Sequence, residues 1–352
     1  MKDRGVTQRQ WYERVISIED GAFQVRSDLD VYFDIKTIDE TVLEVVRRKD
    51  TLFSVKKIGR LNHLHCTPLG KRLQGCLNIS RNTITDTFAG HRFSPYFELF
   101  TRTTNNFGLV ASDLHADGAV LFNSWVAELR KQATQSGFVK SAADQDRAAR
   151  KNSTSLVNYI DGLHELFSKL LVVRLELGYS REFRDNFKLD SLQVKHDFNV
   201  FLARLRRFFP HLVGYIWKLE YAVVKSYHYH VMLFFNGHDV REDITLGRLI
   251  GDYWTKEATG GNRTYRNLNR DKKRYSKLGI LGIGMIPYED AKLRKNLINA
   301  ALYLAKIDYY IRLDAPNIGR TLGRGSLKGA KGSRPGRPRA HFPRHEKSKP
   351  GE

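Results

Sequence analysis

Two cysteines in 352 residues, Cys66 and Cys76, are too few for a disulfide framework, and their spacing matches no common zinc or redox motif. Long apolar runs are missing as well. No stretch is long enough to span a bilayer and residues 1–10 hold no apolar segment of signal-peptide type, so a cytoplasmic protein without a membrane partner is expected. Acidic residues are in deficit: 38 Asp and Glu stand against 59 Lys and Arg, a formal charge of +21. Such an excess favours polyanions, either nucleic acid through counterion release or an anionic lipid surface. No basic amphipathic helix with a bulky apolar face stands out, which turns the reading toward nucleic acid.

What is present is an ordinary globular composition, 41% hydrophobic and 28% charged, in a chain long enough for about two domains. Residues 1–153 form an N-terminal region of unassigned role, mixed and partly helical. Alternating apolar positions predict short strands at 31–35 and 51–55, and 119–134 reads as a helix. His63-Leu-His65 has metal-ligand spacing but runs into Cys66-Thr-Pro68, and no Glu stands in a matching upstream strand. Residues 141–153 are polar and charged, a linker or an exposed helix, and close this region. At the other end, residues 319–352 carry ten Lys and Arg against two Glu with hardly an aliphatic side chain. They read as a disordered basic tail suited to phosphates.

Between these lies a regular pattern over 154–318. A helix at 154–168 leads into a strand at 170–177. Asp190 or Ser191 caps a helix with the apolar stripe Val194, Phe198, Phe201, Leu205 and Phe208, which Pro210 stops. Two strand-like runs, 215–224 and 229–235, flank a polar turn near Lys225-Ser226 and end at Asn236-Gly237, a hairpin. A helix near 243–256, a basic loop at 260–274, a strand at 279–286 and a last helix near 289–312 complete the order. β-α-β-β-α-β is an α+β class in the ferredoxin-like (split βαβ) arrangement, one antiparallel sheet with helices on one face.

The hairpin carries the chemistry. Strand side chains alternate faces, so His228 and His230 point the same way, and a turn about Lys225 sets Glu220 opposite His230 on that face. Two imidazoles and one carboxylate make a metal site with open positions, mid-sheet on the face left uncovered by helices. On the last helix Tyr303, Lys306 and Tyr310 share one flank, whereas Tyr309 points away. The loop residues Arg263, Tyr265, Arg266, Arg270, Lys272, Lys273 and Arg274 suit a single strand, with rings for bases and cations for phosphates.

His228-Tyr-His230 and Tyr303-Leu-Ala-Lys306 resemble the His-hydrophobic-His and Tyr-x-x-Lys motifs of the HUH endonucleases, with Glu220 where many rolling-circle replication initiators place a third ligand. Residues 170–313 are also similar to the YagK/YfjJ C-terminal domain family, which includes the gene-2-type proteins of inoviruses. The resemblance implies a divalent metal, Mg²⁺ or Mn²⁺, on His228, His230 and Glu220, and Tyr303 attacking single-stranded DNA at a replication origin to leave a 5′-phosphotyrosine and a free 3′-hydroxyl. Lys306 would assist, and Tyr310 is the candidate for a second tyrosine, although Ile307 breaks the family's Tyr-x-x-x-Tyr pattern. No Gly-x-x-x-x-Gly-Lys-Ser/Thr motif is present, so unwinding would fall to a host helicase. Replication of a phage, prophage or plasmid is the leading expectation. Transposition by the same chemistry, an inactive DNA-binding regulator on the same fold and a non-haem iron oxygenase are the alternatives.

Overall fold

The computed structural model describes residues 27–109, 118–186, 189–222, 226–258, 261, 263–314 and 317–327. Eleven α-helices and ten strands occur among them, an α+β architecture with antiparallel sheets. No described helix is long and apolar enough to cross a membrane.

The N-terminal part holds α1 (Ser27–Arg47), the hairpin β1 (Phe53–Ile58) and β2 (Leu61–Cys66), α2 (Pro68–Cys76), α3 (Arg81–Thr87), β3 (His91–Phe93), α4 (Pro95–Phe107) and α5 (Gly118–Ala133). The strand expected at 31–35 is instead part of α1. Val31, Ile35, Ile38, Val42 and Val45 recur at helical spacing and are buried together, a period that five residues cannot reveal. The second strand and the helix at 119–134 are present as β1 and α5. Of the two readings of residues 141–153 the helix holds and the linker does not: they lie inside α6 (Ser136–Leu166), which runs unbroken through residue 153.

The sheet follows. Its strands are β4 (Lys169–Tyr179), β5 (Leu212–Ala222), β6 (Ser226–Asn236), β7 (Arg263–Asn267), β8 (Gly284–Pro287) and β10 (Leu322–Arg324). The order is β10-β5-β6-β4-β7, with β8 also pairing β4, all antiparallel. Between strands lie α7 (Arg181–Asn186), α8 (Ser191–Phe208), α9 (Asp243–Asp252) and α10 (Lys272–Lys277), and a π-helical turn, Tyr253–Ala258, continues α9. Asp190 caps α8, accepting from the Gln193 N–H at 2.8 Å. The last helix, α11 (Ala291–Tyr310), runs directly into β9 (Ile311–Leu313), which pairs with β3 of the N-terminal part.

Three sequence expectations change here. The basic loop at 260–274 contains β7, a 3₁₀ turn and α10, because Arg263–Asn267 pair with the free edge of β4. The strand expected at 279–286 shortens to β8. Gly284 sits at φ +82°, and a Cβ on Gly282 would come within 2.5 Å of the Asn296 backbone, so this glycine-rich stretch serves first as the bed for α11. The basic tail begins later than residue 319: Leu322–Arg324 form an edge strand on β5, and residues 328–352 lie outside the described residues.

Helices cover both faces of the sheet rather than one. One face, with Leu171, Val173, Leu175, Tyr229, Val231 and Leu233, packs on Phe198, Phe201 and Leu205 of α8 and on Trp254. The other, with Val172, Met232, Phe234 and Ile216, packs on Tyr159, Ile160 and Leu163 of α6 and on Leu297, Ala301 and Leu304 of α11. The second contact arises because both helices present apolar stripes on the face that holds His228 and His230. Those two side chains are therefore buried, at 5% and 7% exposure, instead of lying on an open surface.

Candidate metal and nucleophile site

Pairing between β5 and β6 sets Glu220 directly opposite His228 and Lys218 opposite His230. The expected register put Glu220 opposite His230, so the hairpin is offset by two residues. An offset of two preserves the face, and the triad still converges. Glu220 Oε2 lies 3.1 Å from His230 Nε2 and 3.6 Å from His228 Nε2. One ligand atom from each residue falls within 4.8 Å of the others, a set that can hold a metal ion.

His228 is oriented from behind. His228 Nδ1 lies 3.0 Å from the Ser226 carbonyl, an acceptor that favours a proton on Nδ1 and turns Nε2 toward Glu220, the orientation a ligating imidazole requires. Tyr229, between the two, points to the opposite face and stacks on Phe198 with centroids 3.8 Å apart, pinning the strand. Burial alone would raise the Glu220 carboxyl, but the charge of His230 and hydrogen bonds from both histidines hold it well below the usual carboxylate range. For His230 burial works toward a lower value, and the adjacent Glu220 overcomes it and raises the imidazole. Among the described residues, Glu220 Oε1 and His230 Nδ1 are buried with no hydrogen-bond partner. A buried carboxylate oxygen left over beside two imidazoles fits a divalent cation, which would take up that lone pair.

The site continues across the sheet as one row, Lys218–His230–Glu176–Arg266, each residue opposite the next on β5, β6, β4 and β7. Lys218 is 1% exposed and donates to Asp308 of α11 at 2.5 Å. Arg174, two residues before Glu176, lies with its guanidinium 5.8 Å from the centre of the Tyr303 ring. Tyr303 therefore overlies the face of the sheet that carries the triad, close to its row, and is itself 9% exposed. From the N-terminal part, His91 brings its ring within 6.2 Å of Tyr221; burial lowers its imidazole, and Lys218 and Glu220 both act on it. Sequence spacing singled out none of Lys218, Glu176, Arg174, Asp308 or His91. The one available signal was a charged residue inside an otherwise apolar strand, as with Arg174 and Glu176 in β4.

Residues 135–308 match the YagK/YfjJ C-terminal domain family. No curated protein and no solved structure matches the chain. The YagK/YfjJ match begins at the foot of α6, spans the triad, Tyr303 and Lys306, and stops two residues short of Tyr310.

Tyr310 belongs to other surroundings. Its hydroxyl donates to Glu40 of α1 at 3.1 Å, its ring meets Tyr32 edge-on at 5.7 Å, and it is a member of the N-terminal core. Burial, then the charge of Glu40, raises its phenol far above the ordinary value. Lys306, half-buried, is lowered by burial and by the charge of Lys36. Tyr309 indeed points elsewhere, donating to Asp146 at 3.1 Å.

The expected DNA-contact residues divide. Arg263 is held inside, its side chain 5% exposed, ion-paired to Asp197 at 2.7 Å and resting against the rings of Tyr179 and Phe183. Tyr265 donates to Asp252, and Lys272 reaches the buried Asp243 at 2.6 Å. These three do structural duty because β7 and α10 pack into the sheet. Arg266 stands in the site row and also meets Asp271 at 3.1 Å. Arg270, Lys273 and Arg274 are exposed.

Proposed function

We propose that this protein nicks and rejoins single-stranded DNA through a 5′-phosphotyrosine on Tyr303, initiating rolling-circle replication of a phage, prophage or plasmid. The observation that carries the reading is the Glu220 carboxylate on the sheet face that Tyr303 overlies, whose Oε2 reaches both imidazoles and whose Oε1 is buried without a partner among the described residues. In support, β4, α8, β5, β6, α9 and β8 follow the element order of a ferredoxin-like split βαβ, and β5-β6-β4-β8 follows its strand order. The charge of +21 supplies affinity for a phosphate backbone.

Glu220, His228 and His230 would hold the divalent ion, Mg²⁺ or Mn²⁺. When bound, it supplies Lewis acidity to a phosphate oxygen. Tyr303 attacks phosphorus; the Oη–P bond forms as the P–O3′ bond breaks. The phenol releases a proton, and the departing 3′-oxygen takes one up. Arg174 against the ring and Lys306 one turn along place positive charge where the phosphate gathers negative charge. The phosphotyrosine keeps the energy of the cleaved bond, so reversal rejoins the strand without a further cofactor.

The test incubates the protein with Mn²⁺ and labelled single-stranded DNA of its host replicon, then follows label that stays on the protein through denaturing electrophoresis. Tyr303→Phe should abolish the adduct and Tyr310→Phe should retain it. A regulator that binds DNA without cutting it is the second reading, favoured by the burial of Tyr303. Salt-sensitive DNA binding with no adduct on any strand would establish that one instead.

A further inference from the structure

Across α11 from Tyr303 lies a cleft of about 700 Å³ that the metal and nucleophile site does not use. Four segments wall it: β3 with the start of α4, the first half of α6, the end of α11 with β9, and residues 319–322. At 100° per residue Ala305, Asp308 and Tyr309 share the side of α11 that lines the cleft, and Tyr303 points the opposite way. One ion pair connects the two places. Asp308 in the cleft wall takes the Lys218 ammonium at 2.5 Å, and Lys218 stands opposite His230 on the sheet.

The walls are cationic, and the clearest case is a like-charged pair. β3 and β9 set Arg92 directly opposite Arg312. Backbone bonds from the Ser94 N–H to Tyr310 and from the Asp314 N–H to Gly90 bracket the two arginines and make them a hydrogen-bonded pair, with Cα atoms about 5.5 Å apart and both side chains on one face of the ladder. Like charges directly opposite weaken a ladder, and each of these strands is three residues long. Asp314 meets Arg92 at 2.9 Å, an exposed pair that contributes little. Lys140 of α6 and Arg320 of the last segment add charge from the other walls, and among the described residues no carboxylate pairs with either of them or with Arg312. The two acids of the cleft are already engaged, Asp308 by Lys218 and Thr321, and Asp144 by Arg147. A phosphate against both guanidinium forks turns the repulsion of Arg92 and Arg312 into attraction.

We propose that this cleft holds a stretch of single-stranded DNA flanking the cut, with Arg92 and Arg312 gripping one backbone phosphate and Lys140 and Arg320 its neighbours. The identity of the strand rests on the nicking reading, but holding it is separate from cutting it. Cations on separate walls suit a chain of phosphates, and Phe93 and Tyr309 contribute half-buried rings of the kind on which bases stack. A volume of about 700 Å³ is on the scale of a small-ligand pocket and too small for a duplex. Arg92, Arg312 and Arg320 all lie outside the residues that match the family, so the N-terminal part and the closing segment supply most of the charge.

Fluorescence anisotropy of a labelled oligothymidylate on the full-length protein, with EDTA present, reads the grip without cleavage. Arg312→Met, at an exposed position, should weaken binding several-fold and lower the slope of log K against log salt by about 0.7, one phosphate contact on a single strand, and Arg312→Lys should restore the slope. Lys57→Met removes the same charge from the exposed β1–β2 hairpin and should leave both near the parent. Ala148→Trp puts bulk into the cleft from the exposed side of α6 with no change of charge, and should also weaken binding several-fold. Equal losses for Lys57→Met and Arg312→Met would mean that net charge alone holds the strand and would overturn the cleft, as would unchanged binding by Ala148→Trp. Thymidine monophosphate competing as well as the oligonucleotide at equal phosphate concentration would overturn the strand in favour of a free nucleotide. No adduct on host-replicon DNA, with Arg312→Met and Ala148→Trp both weakening binding, would overturn the nicking reading and leave the cleft standing.

Discussion

The chain contains the same motif twice, and only one copy has chemistry around it. His63-Leu-His65 sits on β2 of a two-stranded hairpin, both rings exposed, with His65 Nδ1 3.4 Å from Ser54 Oγ. His228-Tyr-His230 sits in the interior of a six-stranded sheet, buried, with a carboxylate across the hairpin and a carbonyl favouring one tautomer. Spacing puts two imidazoles on one side of a strand in either case. A third ligand, exclusion of water and a favoured tautomer come from neighbours, and a two-stranded hairpin has too few neighbours to provide them.

The largest effect that would break this contrast is at His230. His230→Ala removes one ligand of the triad, and both Mn²⁺ affinity, by titration calorimetry, and adduct formation should fall by more than the roughly 10–100-fold that a merely supporting group costs. Retained metal-dependent cleavage would remove the site. The next effect tests like residues in unlike settings along the basic segment. Arg263→Met leaves Asp197 buried without its cation and should cost about 3–5 kcal/mol in urea unfolding. Lys273→Ala, on the exposed side of α10, should change stability by no more than about 0.5 kcal/mol and weaken only the binding of single-stranded DNA.

How far the sequence could be read follows the same division between local and remote neighbours. His228, His230 and Glu220 were legible because strand alternation and a short hairpin are local facts; even the wrong register, two residues off, kept all three on one face. Helix α1 was misread because 31–35 admits both periods, and only Ile38, Val42 and Val45 decide between them. The Lys218–Asp308 pair joins residues 90 apart and the Tyr310–Glu40 bond residues 270 apart. Nothing in local pattern announces such partners. The basic residues of 260–274 looked alike as a string, and only the pairing of β7 with β4 separates Arg263, turned inward, from Arg270, left in solvent.

Acidity sharpens the contrast by a smaller amount. In the metal-free protein Glu220 is held well below the ordinary carboxylate value and His230 above the ordinary imidazole value. Stability from the raised His230 is fully present below its unfolded value, near 6.5, and is lost as pH rises through the folded one. Stability from the depressed Glu220 is present above its unfolded value, near 4.5, and is lost only as pH falls through the folded one. With chelator present the pair therefore contributes most in mildly acidic solution. Metal requires neutral imidazoles, so Mn²⁺ should bind more tightly as pH rises through the folded His230 value. Thermal midpoints measured across that range with EDTA and with Mn²⁺ should diverge toward high pH, and His230→Gln should bring the two curves together.

The smallest effect belongs to the other copy of the motif. His63 and His65 are exposed on their hairpin, and among the described residues the one close polar contact to either ring is the long one from Ser54. Replacing both with alanine deletes no buried area and no buried partner, so the unfolding free energy should stay within about 0.5 kcal/mol of the parent. Mn²⁺ titration should be unchanged, because the described residues bring no carboxylate to those rings as they bring Glu220 to the other pair. A double substitution that weakened Mn²⁺ binding as much as His230→Ala does would mean that spacing alone makes a ligand pair, and the distinction between the two copies would fall.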